Sequence, residues 1–441
     1  MMVNHVQNPT HDPSRLGRSA AAAAALLLAL PLPARGAELL SAAHASIEAD
    51  AAGRHVAALA DDAFEGREGG SRGGRAAGAY IMDALAKTGL EPVGDGGGYG
   101  QQFGGMRNIL GLLRGRDPQL AREVIVVGAH YDHVGYGNQD NSYGPFGFVH
   151  NGADDNASGV AGLLELAEAL GHLPERPRRS ILVAFWDGEE KGLLGSRHFL
   201  RVRPAALADS RLVFSINLDM IGRLRDRRLE VYGTRSARGL RSAVVAANVD
   251  PGHAAGLDLI FNWDVTDDSD HYPFIAAGIP TLMFHTGLHD QYHRPSDDVH
   301  LVNLDGIAPV VRLSLGVLTA VADEAGAAPA FRPECRNESD ATRRALEAPA
   351  VAAGSRGRWG IGTRADSCEA DAPVVVRVSA DSPAAKAGLL PGDRFLAVGG
   401  TKVTDQTAMI DMLRAANPAV DVEVERRGRI MRLEMRTDEA R

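Results

Sequence analysis

Cysteine is nearly missing from this 441-residue chain: Cys335 and Cys368 are the two it has. They allow one disulfide in an oxidising compartment or two free thiols, and spacing alone does not decide whether they meet. Aromatic residues make up only 5% of the chain, which argues against a stacking platform. Positive charge is outnumbered, with 47 Lys and Arg against 56 Asp and Glu for a formal net charge of -9. That balance gives no reason to expect nucleic acid or an anionic membrane as partner. No solenoid-type repeat is present either. What remains is a globular composition, 45% hydrophobic, long enough for a large domain plus a smaller module.

The first 37 residues have a separate character. Arg15 and Arg18 precede an apolar run from Ala20 to Leu32, and Pro33, Ala34, Arg35, Gly36 and Ala37 follow it. This is the layout of a secretory signal peptide over residues 1–37, and the run is short for a bilayer span. The expectation is a periplasmic or secreted protein with no membrane span in the mature chain. No cysteine lies near the cleavage region, so a lipid anchor there is not indicated.

Beyond the leader, residues 38–327 read as one large unit. A mostly helical start, interrupted by the Gly-rich stretch from Phe64 to Gly78, gives way to alternating strands and helices. Strands are expected at Val124 to Ala129, Ile181 to Phe185, Leu212 to Leu218, Leu229 to Tyr232 and Thr281 to Phe284, and a helix at Val160 to Leu170. Such alternation implies an α/β fold, a mostly parallel mixed sheet with helices on both faces. Residues 328–350 lack a hydrophobic period and read as a linker. A small β-rich module is expected over residues 351–438.

The chemistry collects at the ends of the expected strands. Trp186-Asp187-Gly188-Glu189-Glu190 places two adjacent carboxylates after Ile181 to Phe185. Neighbouring side chains at a strand end point in different directions, so one can hold a metal while the other handles a proton. His130 ends another strand, with Asp132 two residues on and suited to take its ring N–H. Asp154 and Asp155 precede the helix at Val160, where capping accounts for one aspartate more easily than for two. Ala157, Ser158 and Gly159 leave room for close backbone approach. Asp219 ends a third strand, and His293 lies in Tyr292-His293-Arg294-Pro295-Ser296-Asp297-Asp298. His130, Asp155, Glu190, Asp219 and His293 together offer two imidazoles and three carboxylates. That set suits two Zn2+ per chain, one carboxylate bridging and each metal taking one His and one further carboxylate. His133, His150, His271, His285 and His289 lie nearby, and His285 and His289 compete for the second imidazole.

On these five ordered motifs the chain, from Phe64 to Ala325, resembles the bacterial leucyl aminopeptidase, aminopeptidase S and aminopeptidase Y group of zinc exopeptidases. The resemblance implies His130 and Asp219 on one zinc, Glu190 and His293 on the other, and Asp155 bridging, with His293 preferred through the match of Tyr292 to Asp298. It implies Glu189 as general acid/base and a cis peptide at Asp155-Asn156. It further implies that Asp270 or His271 in Ser269-Asp270-His271 supports a metal ligand from behind or contacts the substrate. The interval from Gly66 through Asn108 to His130 is too short for the protease-associated domain that some members insert.

The C-terminal module resembles a bacterial-type PDZ domain. Arg358-Trp359-Gly360-Ile361-Gly362 matches its carboxylate-binding loop, Ser382 to Leu389 and Pro391 to Asp393 its short helix and turn, and Thr407 to Ala416 the helix beside its groove. The function implied is an exported dizinc exopeptidase acting on N-terminal residues of peptides, with a module that recruits peptide C-termini or extended segments, or packs as a lid. Alternatives on the same site are a carboxypeptidase or dipeptidase and a glutaminyl cyclase. The non-enzymatic alternative is a peptide-binding PDZ protein on an inactive hydrolase fold.

Overall fold

The computed structural model describes residues 41–252, 255–349 and 357–437, so the expected signal peptide lies outside the described residues. Nine strands build the larger sheet: β1 (Glu91–Pro92), β2 (Gly100–Phe103), β3 (Met106–Leu113), β4 (Glu123–His130), β5 (Ser180–Trp186), β6 (Arg211–Leu218), β7 (Arg228–Tyr232), β8 (Asp258–Asn262) and β9 (Thr281–His285). Their order is β1-β3-β5-β4-β6-β9-β7-β8, with β2 beside β3. The centre is parallel, β5-β4-β6-β9, and β3 and β7 join it antiparallel on either side.

Every residue of β5 is buried, as are all but the first of β4 and of β6. Continuous apolar strands of this kind belong to a sheet covered on both faces. On one face the helices Ala49–Leu59, Arg72–Leu85, Gly159–Gly171 and Leu304–Asp323 bury Val56, Ile81, Leu163 and Leu315 in one core with Ile125, Val183 and Ile216. On the other, Phe199 and Phe274 pack with Leu182, Val126 and Trp186. Leu304–Asp323 is long and apolar enough to cross a bilayer by length and composition, but its apolar surface is covered by the fold.

Because β4, β5, β6 and β9 run the same way, their carboxyl ends lie along one edge of the sheet. Ligand sites of open α/β sheets form there. The segments that follow are His130 to His133, Asp187 to Glu190, Asp219 and the loop after His285.

The stretch expected as a linker is folded. A 3-10 turn at Pro333–Asn337 precedes a helix at Asp340–Glu347, which Ser339 and Thr342 cap reciprocally. None of its residues is buried, and charge pairs brace it: Arg343 pairs with Asp340 at 2.9 Å and with Glu347 at 3.0 Å.

The second sheet comprises β10 (Ile361–Arg364), β11 (Val374–Val378), β12 (Arg394–Val398), β13 (Thr401–Lys402), β14 (Ala419–Arg426) and β15 (Arg429–Arg436), all antiparallel. The helix Gln406–Ala415 buries Met409 and Leu413 against it. The β14-β15 turn sits on β8, the edge of the larger sheet: Leu259 N–H donates to the Arg427 carbonyl at 2.9 Å, and Asn248 Nδ2 donates to the Gly428 carbonyl at 2.9 Å. Buried ion pairs join the two sheets' domains. Arg241 contacts Glu425 at 2.7 Å, and Asp366 contacts both Arg235 and Arg394 at 2.9 Å. Cys335 and Cys368 are both free thiols and buried.

Candidate metal centre

Two groups of potential ligands share Asp155: His130, Asp155 and Asp219 form one, and His133, Asp155, Glu190 and His293 the other. All five ligands expected from the sequence are therefore brought together. His130 Nε2 stands 3.4 Å from Asp155 and 3.5 Å from Asp219, and His293 Nε2 stands 3.1 Å from both Asp155 and Glu190.

The Asp155 loop is held from several sides. Arg67, fully buried, donates from Nε to the Tyr131 carbonyl at 3.0 Å, from Nη1 to Leu59 and Asn151 at 2.7 and 2.6 Å, and from Nη2 to Gly152 at 2.9 Å. Asp297 accepts the backbone N–H groups of Asp154 and Asp155 at 2.9 and 3.0 Å and pairs with Arg223 at 2.9 Å. Asn156 donates to the Leu218 carbonyl and accepts from Gly159 and Met220, each at 3.0 Å, tying the loop to the end of β6. A Cβ on Gly159 would stand 2.6 Å from the Leu218 carbonyl, so the close approach expected of that residue is real. The Asp155-Asn156 peptide is cis. Asp154 is structural: one oxygen accepts from Ser158 and Gly222, and the other faces His289 at 3.2 Å. Arg67, Met220 and His293 all carry positive φ, near 50°, a conformation rare outside glycine that collects around functional sites.

The carboxylate-rich interior governs the charges. Burial opposes protonation of His130, yet Glu189, Asp219 and Asp155 carry it well above the usual imidazole range. Burial likewise opposes the charge on His293, and Asp155 and Glu190 bring it up to about 11. Burial and Asp155 push Glu190 up, but the hydrogen bond from His133 and the His293 imidazole beside it take it down to about 2. The imidazoles thus supply positive charge that the carboxylates demand. Asp155 Oδ2 and His293 Nε2 are also buried without hydrogen-bond geometry to any partner. His130 Nδ1 faces the Asp132 main-chain oxygen at 3.2 Å. A carbonyl only accepts, so Nδ1 carries the hydrogen, and Nε2, facing Asp155 and Asp219, is the nitrogen that can give up its proton to a metal. This donor set fits divalent metal.

The structure refines three sequence expectations. Asp132 does not orient His130 mainly through its carboxylate, which lies 3.8 Å from the ring. Its two oxygens instead accept the backbone N–H groups of Glu189 at 3.0 Å and Glu190 at 3.3 Å, because the ends of the neighbouring parallel strands β4 and β5 lie side by side. Asp132 positions both glutamates. In Ser269-Asp270-His271 the residue that touches a ligand is Ser269, whose hydroxyl donates to Asp219. Asp270 accepts from Ser196, and burial pushes it up to about 7 against the pull of His130. Finally, His133, set aside by the sequence reading, lies in the cluster, with Nδ1 2.8 Å from Glu190 Oε1. His-Tyr-Asp-His at one strand end was the only available signal, and such a pattern does not say which way the last ring turns.

The other histidines have separate duties. His150 bonds Ser142 and Phe148, His285 accepts from Gly287 N–H, and His289 lies against Asp154. Glu189 stands among His130, Glu190, Asp270 and Asp219, and burial, with repulsion from the acids, holds it well above the usual carboxylate range.

Residues 108–318 match peptidase family M28, and residues 374–426 match the PDZ domain. Aminopeptidase YwaD of Bacillus subtilis is 29% identical over 204 residues, 45% of this chain and 40% of YwaD. The chain therefore spans under half the length of that relative. Among solved structures, Legionella pneumophila LapA aminopeptidase superposes with TM-score 0.54 at 18% identity, covering 66% of this chain and 76% of LapA. Porphyromonas gingivalis glutaminyl cyclase superposes with TM-score 0.50 at 25% identity, covering 62% of this chain and 97% of the cyclase. Residues 108–318, just under half of the chain, are thus similar to peptidase family M28, and residues 374–426 to the PDZ domain.

Proposed function

We propose that this protein is an exported dizinc aminopeptidase, acting in the periplasm or outside the cell on the N-terminal residues of peptides. The observation that carries the reading is the pair of ligand clusters sharing Asp155, with Glu189 beside them. His130 and Asp219 would hold one zinc, Glu190 and His293 the other, and Asp155 both. Zinc at such a site supplies a Lewis acid and lowers the pKa of water. Glu189 takes a proton from the attacking water on its carboxylate and returns it to the leaving amine nitrogen. Asp132 keeps Glu189 in place by accepting its main-chain N–H.

Asp270, brought to about 7 by burial and partly ionised at neutral pH, offers counter-charge to a substrate α-ammonium beside Glu189. Arg67, Arg223 and Lys191 are engaged with carbonyls, Asp297 and Glu68 and are not available to anchor a substrate carboxylate. A glutaminyl cyclase with one zinc would leave half of the ligand set without work.

The PDZ module is proposed to recruit or regulate through the groove between β10 and the helix Gln406–Ala415, which Gln406 spans by donating to the Thr363 carbonyl at 2.8 Å. A panel of free-amine, N-blocked and C-terminal substrates with added zinc tests the reading. Activity confined to blocked or C-terminal substrates overturns it. Glu189→Gln should retain both zinc ions and lose about 10²- to 10⁴-fold in turnover. A zinc-loaded variant with wild-type turnover would remove Glu189 from the mechanism.

A further inference from the structure

We propose that His133 is a positioning residue for the second metal site: its Nδ1–H ties Glu190 Oε1 and so leaves Oε2 to hold zinc. This rests on the two-zinc reading.

The distances separate a ligand from a positioning group. Two donors on one tetrahedral zinc, each about 2.0 Å away, stand roughly 3.3 Å apart. The ligand pairs His130 with Asp155, His130 with Asp219, His293 with Asp155 and His293 with Glu190 stand at 3.4, 3.5, 3.1 and 3.1 Å. His133 Nδ1 stands at 2.8 Å from Glu190 Oε1, too short for co-ligands and right for a hydrogen bond. The two oxygens of Glu190 are divided: Oε1 meets His133, and Oε2 meets His293. Because a carboxylate only accepts, Nδ1 must carry the hydrogen, and it then has no lone pair for a metal.

The ring's seat is built for this orientation. His133 is fully buried, and its main-chain N–H donates to the Arg67 carbonyl at 3.3 Å. Gly152, at φ 53°, lies beneath the ring, where a Cβ would come within 2.6 Å of Cδ2. The ring also stands edge-on to His293, with centroids 5.5 Å apart. One imidazole therefore packs against a ligand of the second metal and fixes the carboxylate of another.

Titrating the metal-free full-length protein with zinc against a chromophoric chelator tests this. Asn places an amide N–H near the position of Nδ1, whereas Gln places it near Nε2. His133→Gln should weaken the second zinc equivalent by about 10- to 100-fold and leave the first unchanged. His133→Asn should return the second equivalent to within about threefold of wild type. Wild-type affinity for both equivalents in His133→Gln would overturn the positioning role. So would a loss in His133→Asn as large as in His133→Gln, since that pattern marks a direct ligand. A wild-type protein that takes up fewer than two equivalents would overturn the two-zinc reading and this inference together.

Discussion

Arg67 is the residue whose removal the structure prices most directly. Its guanidinium is inaccessible to solvent and donates four hydrogen bonds to main-chain carbonyls at 2.6 to 3.0 Å, from Leu59, Tyr131, Asn151 and Gly152. Burial lowers its pKa to about 10, while Asp155, Asp297, Asp132 and Glu190 pull the other way, so it is charged at neutral pH. Arg67→Met would leave three buried acceptors without donors, since the Gly152 carbonyl keeps the Ala157 N–H. At the low end of about 1 kcal/mol for each, the loss is about 3 kcal/mol. Arg67→Lys keeps the charge but offers three donors without the planar fork, and about 1 to 2 kcal/mol should go. Urea unfolding in excess chelator, followed by far-UV circular dichroism, measures this without a contribution from metal. The order should be wild type, then Lys, then Met. Arg67→Met within 1 kcal/mol of wild type would refute the argument that this side chain staples the strand end carrying His130 to the loop carrying Asp155.

Two further outcomes concern the join between domains. Arg241→Ala leaves the Glu425 carboxylate buried without its cation, a loss of about 3 kcal/mol, and the C-terminal domain should melt earlier in calorimetry; an unchanged profile would mean that the pair does not hold the domains together. Burial raises Glu369 from 4.5 to about 7, with Arg394 and Arg241 opposing. A raised folded-state pKa gives stability that is fully present below the unfolded value and is lost as pH rises through about 7, on the order of 3 kcal/mol for this nearly inaccessible group. Denaturation of wild type and Glu369→Gln at pH 5 and pH 8 should show the larger drop in wild type, and equal drops would contradict the assignment.

Much of the scaffold was legible because its signals are local. The strands at Val124, Ile181, Leu212, Leu229 and Thr281 lie within a residue or so of the observed β4, β5, β6, β7 and β9, and the helix at Val160 begins one residue earlier. Continuous apolar runs bounded by Gly, Asp and Pro leave few readings. The helix at Asp340–Glu347 was not legible, since none of its residues is buried and charge pairs brace it instead.

The sequence by itself determined which chemistry was available: acids and imidazoles, the donor types of a metal site, at the ends of successive strands. Only the tertiary structure decided how they divide the work. Asp132 turned from His130 to the backbone of Glu189 and Glu190, Ser269 rather than Asp270 met Asp219, and His133 came to Glu190. Each of these contacts joins segments distant along the chain. Residue type and spacing specify a side chain's capacity to donate, accept or ligate; which partner it meets is set by the packing of everything between them.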